Sequence, residues 1–371
     1  MTQTNTTSNI AGTDTGKTVE LWYTRCGAAT ASALAIRKGF LQAEFAQGGT
    51  TLRSLRDSDS QALRNAHYHH GQTGLFREGG NIPPIWAKAG GADTVVVAIT
   101  WLDEYQGILV RADSAIRSPA DLAGARLAIP RHKHALIDFQ RGAAQHGFVT
   151  ALAQAGLAPE DTQFIDIDVA ERAEPGTANP GGGQREAVLA ALENGAVDAI
   201  FLRAAQGWRT AQSPNLRQIA NNNALADPLA RVNNGTPRPV TVDRAFLERH
   251  PDVVARYLAV LLRTASWAER NPGDVAALIG ADNGADAAEV LASHGDGFHR
   301  AFTPQLSEGH IAGLEAQKNF LRDWGYLRAD FDVRAWIDPA PLEEARRLVE
   351  QQPAFTEGRA DTASAATPLA A

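Results

Sequence analysis

The chain has 371 residues, 44% hydrophobic and 21% charged, a globular composition long enough for two domains of ordinary size. Its formal net charge of −7 argues against a nucleic-acid or anionic-membrane partner, and its single cysteine excludes an intrachain disulfide. No apolar run approaches the roughly 20 residues that span a bilayer, and residues 1–18 lack the apolar core of a signal peptide, so the expected location is cytoplasmic.

Residues 1–18 are polar and predict a mobile tail. Residues 11–18 imitate a phosphate loop, but no strand precedes them and one follows, which removes the geometry that such a loop needs. Val19–Tyr23 reads as a strand, and the Ala-rich run 28–38, stopped by Gly39, reads as a helix. Cys26 therefore falls at the carboxyl end of a strand and the mouth of a helix. Ligands of open α/β sheets bind there, and helix amides together with the neighbouring Arg25 favour a thiolate.

Residues 50–56 alternate like a strand. The His- and Gly-rich stretch 65–84 predicts loop and turn, with a helix restarting near Ile85. Residues 95–99 and 107–110 read as buried strands. A capped turn at 118–124 opens a second series, with segments at 125–129, 137–155, 164–167, 185–194 and 197–202. This alternation predicts parallel sheets with helices on both faces. The Gly- and Pro-rich run 172–184 is a surface loop and a candidate lid. Residues 235–242 look like a crossing between lobes. Residues 252–270 form an amphipathic helix with Val254, Tyr257, Leu258, Leu261, Leu262, Ala265 and Trp267 near one face, ended by Asn271-Pro272. A further helix runs over about 311–324, and 353–371 predict a disordered tail.

The runs 121–129 (Asp-Leu-Ala-Gly-Ala-Arg-Leu-Ala-Ile), 195–200 (Gly-Ala-Val-Asp-Ala-Ile), 246–254, 267–272 and 316–321 resemble the sulfonate, taurine and nitrate branch of bacterial periplasmic solute-binding proteins. The resemblance covers most of 19–325. It implies an α/β, two-lobed, periplasmic-binding-protein-like type II fold with a ligand cleft between the lobes. Lobe 1 would be discontinuous, 19–112 and 235–352, and lobe 2 would be 113–234.

Within that fold the chain is similar to the aryl sulfinate desulfinases, cytoplasmic enzymes of dibenzothiophene desulfurisation. The family's nucleophile cysteine falls on Cys26. Its site histidine, ten residues before an arginine, falls on His67. That arginine falls on Arg77, which opens the run Arg77-Glu-Gly-Gly80-Asn-Ile-Pro-Pro84, and the glycine whose N–H meets the sulfinate falls on Gly80. A site-proximal glutamine falls on Gln72, and His70 stands where the family has tyrosine. The resemblance implies cleavage of the C–S bond of a 2'-hydroxybiphenyl-2-sulfinate-like substrate to the arene or phenol product and sulfite. Cys26 and His67 would be catalytic, and Arg77, Gly80 and Gln72 would bind substrate.

The residue types fit that chemistry. Arginine holds two oxygens of an anion at once, glycine lets a backbone N–H approach, and histidine moves protons near neutral pH. Each has a plainer reading too: a surface ion pair for Arg77, a turn for Gly80, a metal set for His67, His69 and His70. Trp22, Phe76, Trp101 and Trp208 are candidates for an apolar cleft wall or for core. No cofactor or metal motif fits its context, so the expected partner is a small aromatic sulfinate alone, bound by a monomer. The rival class is a non-catalytic solute-binding protein that delivers a sulfonate-like anion to a transporter. A thiamine-pyrimidine synthase on the same fold would use a Cys-rich motif, which a single cysteine does not supply.

Overall fold

A computed structural model of the chain describes residues 19–24, 29–46, 49–170 and 183–352. Arg25 and Cys26, most of the candidate lid 172–184 and both expected tails lie outside the described residues. The chain starts with β1 (Val19–Tyr23), α1 (Ala31–Arg37), α2 (Phe40–Phe45), β2 (Thr50–Ser54), α3 (Gln61–His69), β3 (Leu75–Glu78), α4 (Ile82–Ala89) and β4 (Thr94–Thr100). It crosses to β5 (Gln106–Arg111), β6 (Arg126–Arg131), α5 (Phe139–Gln154), β7 (Gln163–Asp168), α6 (Gln184–Glu193), β8 (Ile200–Arg203), α7 (Ala204–Ala211) and β9 (Leu216–Asn221). It returns through β10 (Arg238–Asp243) to the helices α8 (Arg244–Arg249), α9 (Pro251–Arg270), α10 (Pro272–Asn283), α11 (Ala287–His294), α12 (Glu308–Asp323) and α13 (Ala340–Gln351).

The first sheet has the order β2-β1-β3-β10-β4. The second lobe carries β8-β5-β9 and the pair β6-β7. The expected parallel pairing holds for β1 with β2 and β3, and for β6 with β7. It fails for β10 and β5, which run antiparallel to their neighbours. The physical reason is topological: both strands follow crossings between the lobes, so neither is the product of a β-helix-β turn that would impose a parallel direction. Two expectations shift accordingly. Strand β5 pairs wholly within the second sheet, so the first crossing lies near 101–105 rather than at 112. Residues 238–243, read as part of a crossing, form an inner strand of the first sheet.

The long helix α9 packs on the first sheet as its pattern predicts. Pro251 starts it, and Val254, Tyr257, Leu258, Leu261, Ala265 and Trp267 are buried in one core cluster with Leu21, Val97 and Val242. A separate cluster joins the lobes: Ile137 and Phe139 of lobe 2 meet Tyr68, Ile82, Ile85 and Trp86 of lobe 1.

The stretch 65–84 is not loop. Ser60 caps α3 by accepting from Leu63 N at 3.3 Å, and the helix runs to His69 and ends on His70 at φ 57°. After four residues β3 begins, buried along its whole length. The glycines bracket this strand instead of dissolving it, and Phe76 anchors it by stacking on Tyr257 at 4.1 Å between ring centroids.

Candidate functional site

The alternation of β3 divides its two charges between opposite faces of the sheet. Leu75 packs with Leu55 and Ala66 of the α3 side. Arg77 points the same way; it is 1% exposed, and its Nε donates to the His67 carbonyl at 2.9 Å. Glu78 faces α1, where its carboxylate accepts from Ala31 N (3.3 Å), Ser32 N (2.7 Å) and the Thr100 hydroxyl (3.0 Å). Burial pushes the Glu78 carboxyl above the usual range, and these hydrogen bonds and Arg238 oppose that push. The sequence Arg77-Glu78 thus sets a cation toward α3 and ties an anion to the start of α1.

Strand β1 runs beside β3, with Tyr23 opposite Phe76 and Thr24 N donating to Phe76 O at 3.3 Å. Beyond Cys26 the described chain resumes at Ala29, whose carbonyl accepts from Arg238. Cys26 itself lies outside the described residues.

His67 is half-buried, and its ring meets Tyr68 edge-on at 5.0 Å. Burial, the Arg77 charge and His70 hold its pKa well below the usual imidazole range, so His67 is neutral at pH 7. His70 is buried and drops to about 3, again mainly through burial and then Arg77. Its Nε2 lies 2.9 Å from Thr241 Oγ1, and that hydroxyl donates to the Arg77 carbonyl at 3.4 Å. With its one proton so used, the hydroxyl must accept from His70, which fixes the Nε2–H tautomer. His69 Nδ1 accepts from Gly71 N at 3.0 Å. His69 and His70 are therefore held by separate partners, and among the described residues no group of three or more His, Cys, Asp or Glu is placed to hold a metal ion.

Gly80 is buried just past β3, and its N–H takes no acceptor among the described residues. The two following amides do: Asn81 N donates to Asn234 O at 2.8 Å and Ile82 N to Asn234 Oδ1 at 3.1 Å. Asn81 Nδ2 also bonds the carbonyls of Asn233 (2.8 Å) and Pro237 (2.9 Å). These asparagines of the second crossing carry no local motif, and sequence reasoning missed them.

Gln72 is the residue that the structure does not bring to this place. Its Nε2 donates to Thr73 O at 3.1 Å, and it lines a surface recess with His69, Thr73, Asp93 and Asp243. Gly74 N donates to Asp243 Oδ2 at 2.7 Å, which fixes this as the opening end of β3. Gly80 lies past the closing end, about 16 Å along an extended chain. A fixed sequence offset from Arg77 does not bring Gln72 to the site, because the strand lies between them. Of the aromatic candidates, Phe76 is core, Trp22 and Trp208 are half-buried, and half-buried Trp101 lies beside His310 with ring centroids 5.6 Å apart.

The second lobe faces this end of β3. Ile82 Cδ1 would stand 3.1 Å from a Cβ on Gly142 of α5, and Phe139 stacks on Tyr68 at 6.5 Å. At the carboxyl end of β6, Asp138 caps α5 and receives both His132 N (2.7 Å) and His132 Nδ1 (3.0 Å). The closing ends of β3 and β6 thus lie on the side where the two lobes pack together, the side of the strands on which α/β folds bind ligands.

The fold is a two-lobed scaffold of the periplasmic solute-binding type. The periplasmic aliphatic sulphonate binding protein SsuA from Escherichia coli matches it with a TM-score of 0.62 and 18% identity, over 88% of this chain and 93% of that one. No family model matches the chain. The particular protein it resembles is 2'-hydroxybiphenyl-2-sulfinate desulfinase of Rhodococcus erythropolis, 24% identical over 357 residues, 88% of this chain and 93% of that protein. A mutant of the enzyme DszB crystallised with biphenyl-2-sulfinic acid matches with a TM-score of 0.70 and 23% identity, over 89% of this chain and 99% of that one.

Proposed function

We propose that this protein is an aryl sulfinate desulfinase: a monomeric, cytoplasmic enzyme that cleaves the C–S bond of an aromatic sulfinate without a cofactor. The observation that carries the reading is the closing end of β3, where a buried Arg77 is followed three residues later by a Gly80 N–H with no acceptor among the described residues, with neutral His67 alongside. In this reading the Arg77 guanidinium is the counter-charge and holds sulfinate oxygen with charge-assisted hydrogen bonds. The Gly80 N–H takes part of the same charge. His67 cannot be a second cation at pH 7, so its part is to accept and return a proton.

The net reaction is ArSO2⁻ + H2O → ArH + HSO3⁻. Carbon gains a proton, sulfur gains the water oxygen, and no oxidant or reductant is needed. Cys26 supplies the reactive group in one of two orders. As a thiolate it attacks sulfur, the arene leaves with a proton, and water releases sulfite. As a thiol it protonates the ring carbon, and sulfur dioxide departs to be hydrated.

A second reading is favoured by the sulphonate-binding neighbour of the same fold, namely a non-catalytic carrier of a sulfonate-like anion. One assay separates the two. Sulfite release on mixing the purified protein with 2'-hydroxybiphenyl-2-sulfinate or biphenyl-2-sulfinate is expected of the enzyme. Tight binding of either compound, or of an alkanesulfonate, with no sulfite over many hours would replace the enzyme with the carrier.

A further inference from the structure

The second crossing, 222–237, contributes a polar group to the anion site that neither the local sequence pattern nor the resemblance assigns. Asn234 is 3% exposed. Its backbone carbonyl accepts Asn81 N, and its Oδ1 accepts Ile82 N. Only the oxygen end of a carboxamide can accept an N–H, so the bond from Ile82 fixes which end is oxygen and which is nitrogen. The whole carboxamide lies against Gly80: a Cβ there would stand 2.7 Å from Asn234 Oδ1 and 2.8 Å from Nδ2. Nδ2 donates to no acceptor among the described residues. Two donors without an acceptor among the described residues, the Gly80 N–H and Asn234 Nδ2, therefore belong to adjoining residues in space just beyond Arg77.

We propose that Asn234 is a further ligand-binding residue, whose Nδ2 donates a hydrogen bond to the sulfur oxyanion beside the Gly80 N–H. The proposal rests on the reading of this end of β3 as an aryl sulfinate site. It gives the crossing a direct part in recognition: Arg77 supplies charge from β3, and Asn234 supplies a directional donor from the far side of Gly80. An anion with several lone pairs accepts from both donors at once.

The alternative is that Asn234 only braces the turn through Oδ1. Calorimetric titration with biphenyl-2-sulfinate of the wild type, Asn234→Ala and Asn234→Asp distinguishes the two roles. Asn234→Asp keeps an oxygen for Ile82 N but replaces the donor end with carboxylate oxygen. As a ligand contact, Asn234→Ala weakens binding by about ten- to a hundredfold, and Asn234→Asp weakens it further because it sets like charges together. A purely bracing role predicts the reverse order, with Asn234→Asp rescued toward wild type, and that result overturns the proposal. If neither variant folds, the side-chain NH2 signals of Asn234 in an ¹H–¹⁵N spectrum of the wild type decide. Movement on addition of biphenyl-2-sulfinate is expected; signals that stay still while the Gly80 amide moves overturn the proposal. If the wild type binds neither biphenyl-2-sulfinate nor 2'-hydroxybiphenyl-2-sulfinate, the aryl sulfinate reading falls and takes this proposal with it. Wild-type binding with an unaffected Asn234→Asp refutes the Asn234 contact alone.

Discussion

Replacing Gly80 with alanine adds one methyl group at the most crowded point of the candidate site. That carbon would stand 2.7 Å from Asn234 Oδ1 and 2.8 Å from Nδ2, closer than any stable contact. Gly80 does not have a positive φ, so the whole effect is steric. The carboxamide must move, which breaks the 3.1 Å bond from Ile82 N and leaves a buried amide unpaired. Overpacking of this kind costs about 1–3 kcal/mol, and an orphaned buried donor about 1–3 kcal/mol. For a chain of this length the sum, about 2–6 kcal/mol, lowers the melting temperature by about 3–8 °C. Aryl sulfinate affinity should fall as well, since both donors shift together. Differential scanning calorimetry and titration test this directly. The double variant Gly80→Ala/Asn234→Ala should be no less stable than Asn234→Ala alone, because removing the carboxamide makes room for the methyl. A Gly80→Ala protein that melts and binds like wild type, or a strictly additive double variant, would refute the argument.

Arg77→Lys keeps the charge but loses the planar fork, and should weaken aryl sulfinate binding about ten- to a hundredfold; Arg77→Ala should be worse, and titration ranks the three proteins. Cys26→Ser should fold and bind 2'-hydroxybiphenyl-2-sulfinate but release no sulfite in a colorimetric assay, since a hydroxyl is both a weaker acid and a poorer nucleophile at neutral pH. Activity should survive exhaustive chelation and dialysis; loss restored by one metal ion would reopen the metal reading of His67, His69 and His70. Stability should fall with pH below about 6.5, because the unfolded chain then binds protons that buried His70 and half-buried His146, at about 3 and about 4 in the fold, refuse. Each such histidine contributes a slope of about 1.4 kcal/mol per pH unit. Asn tolerates the left-handed backbone and keeps an N–H donor, so His70→Asn should flatten that slope in melting curves taken from pH 4 to 7.

What the sequence made legible was whatever repeats over many residues or sits in a contiguous run. Helix α9 announces itself through seven apolar side chains at helical spacing, and β4 through an unbroken buried run, Thr94–Thr100. The run from Arg77 to Pro84 names the closing end of β3 because strand, glycine pair and helix start follow one another directly. The strand itself was hidden. Four residues, two of them charged, between glycines look like loop; only the partners of Arg77 and Glu78 on opposite faces make a buried strand of them. The directions of β5 and β10 were hidden too, since they depend on which lobe each crossing comes from. Gln72 shows the limit of offset reasoning, and Asn234 shows its complement. One lies five positions from Arg77 and at the wrong end of a strand; the other bonds Ile82 from a separation of 152 positions.

The crossings also bind recognition to the geometry between the lobes. Glu104, in the first crossing, is buried and accepts from Arg238 of β10 at 3.1 Å and from Arg203 of β8 at 2.7 Å. Burial alone would raise its pKa, but the two guanidiniums outweigh that and hold it ionised. Arg238 reaches on to the carbonyl of Ala29, where the described chain resumes after Cys26. The second crossing is fastened to the first by the Thr236 hydroxyl on Leu102 O at 2.6 Å, to lobe 2 by Asn233 Nδ2 on Ala143 O at 3.0 Å, and to the chain just after Gly80 by Asn234, which accepts from Asn81 N and Ile82 N. A change in the angle between lobes therefore acts on the donors beside Gly80 and on the chain flanking Cys26 through the same few bonds. A carrier and an enzyme can share such a frame, since both need an anion held where two lobes meet. They diverge only in what the neighbouring side chains do next, and on the proposed reading that difference is the neutral imidazole of His67 and the sulfur of Cys26.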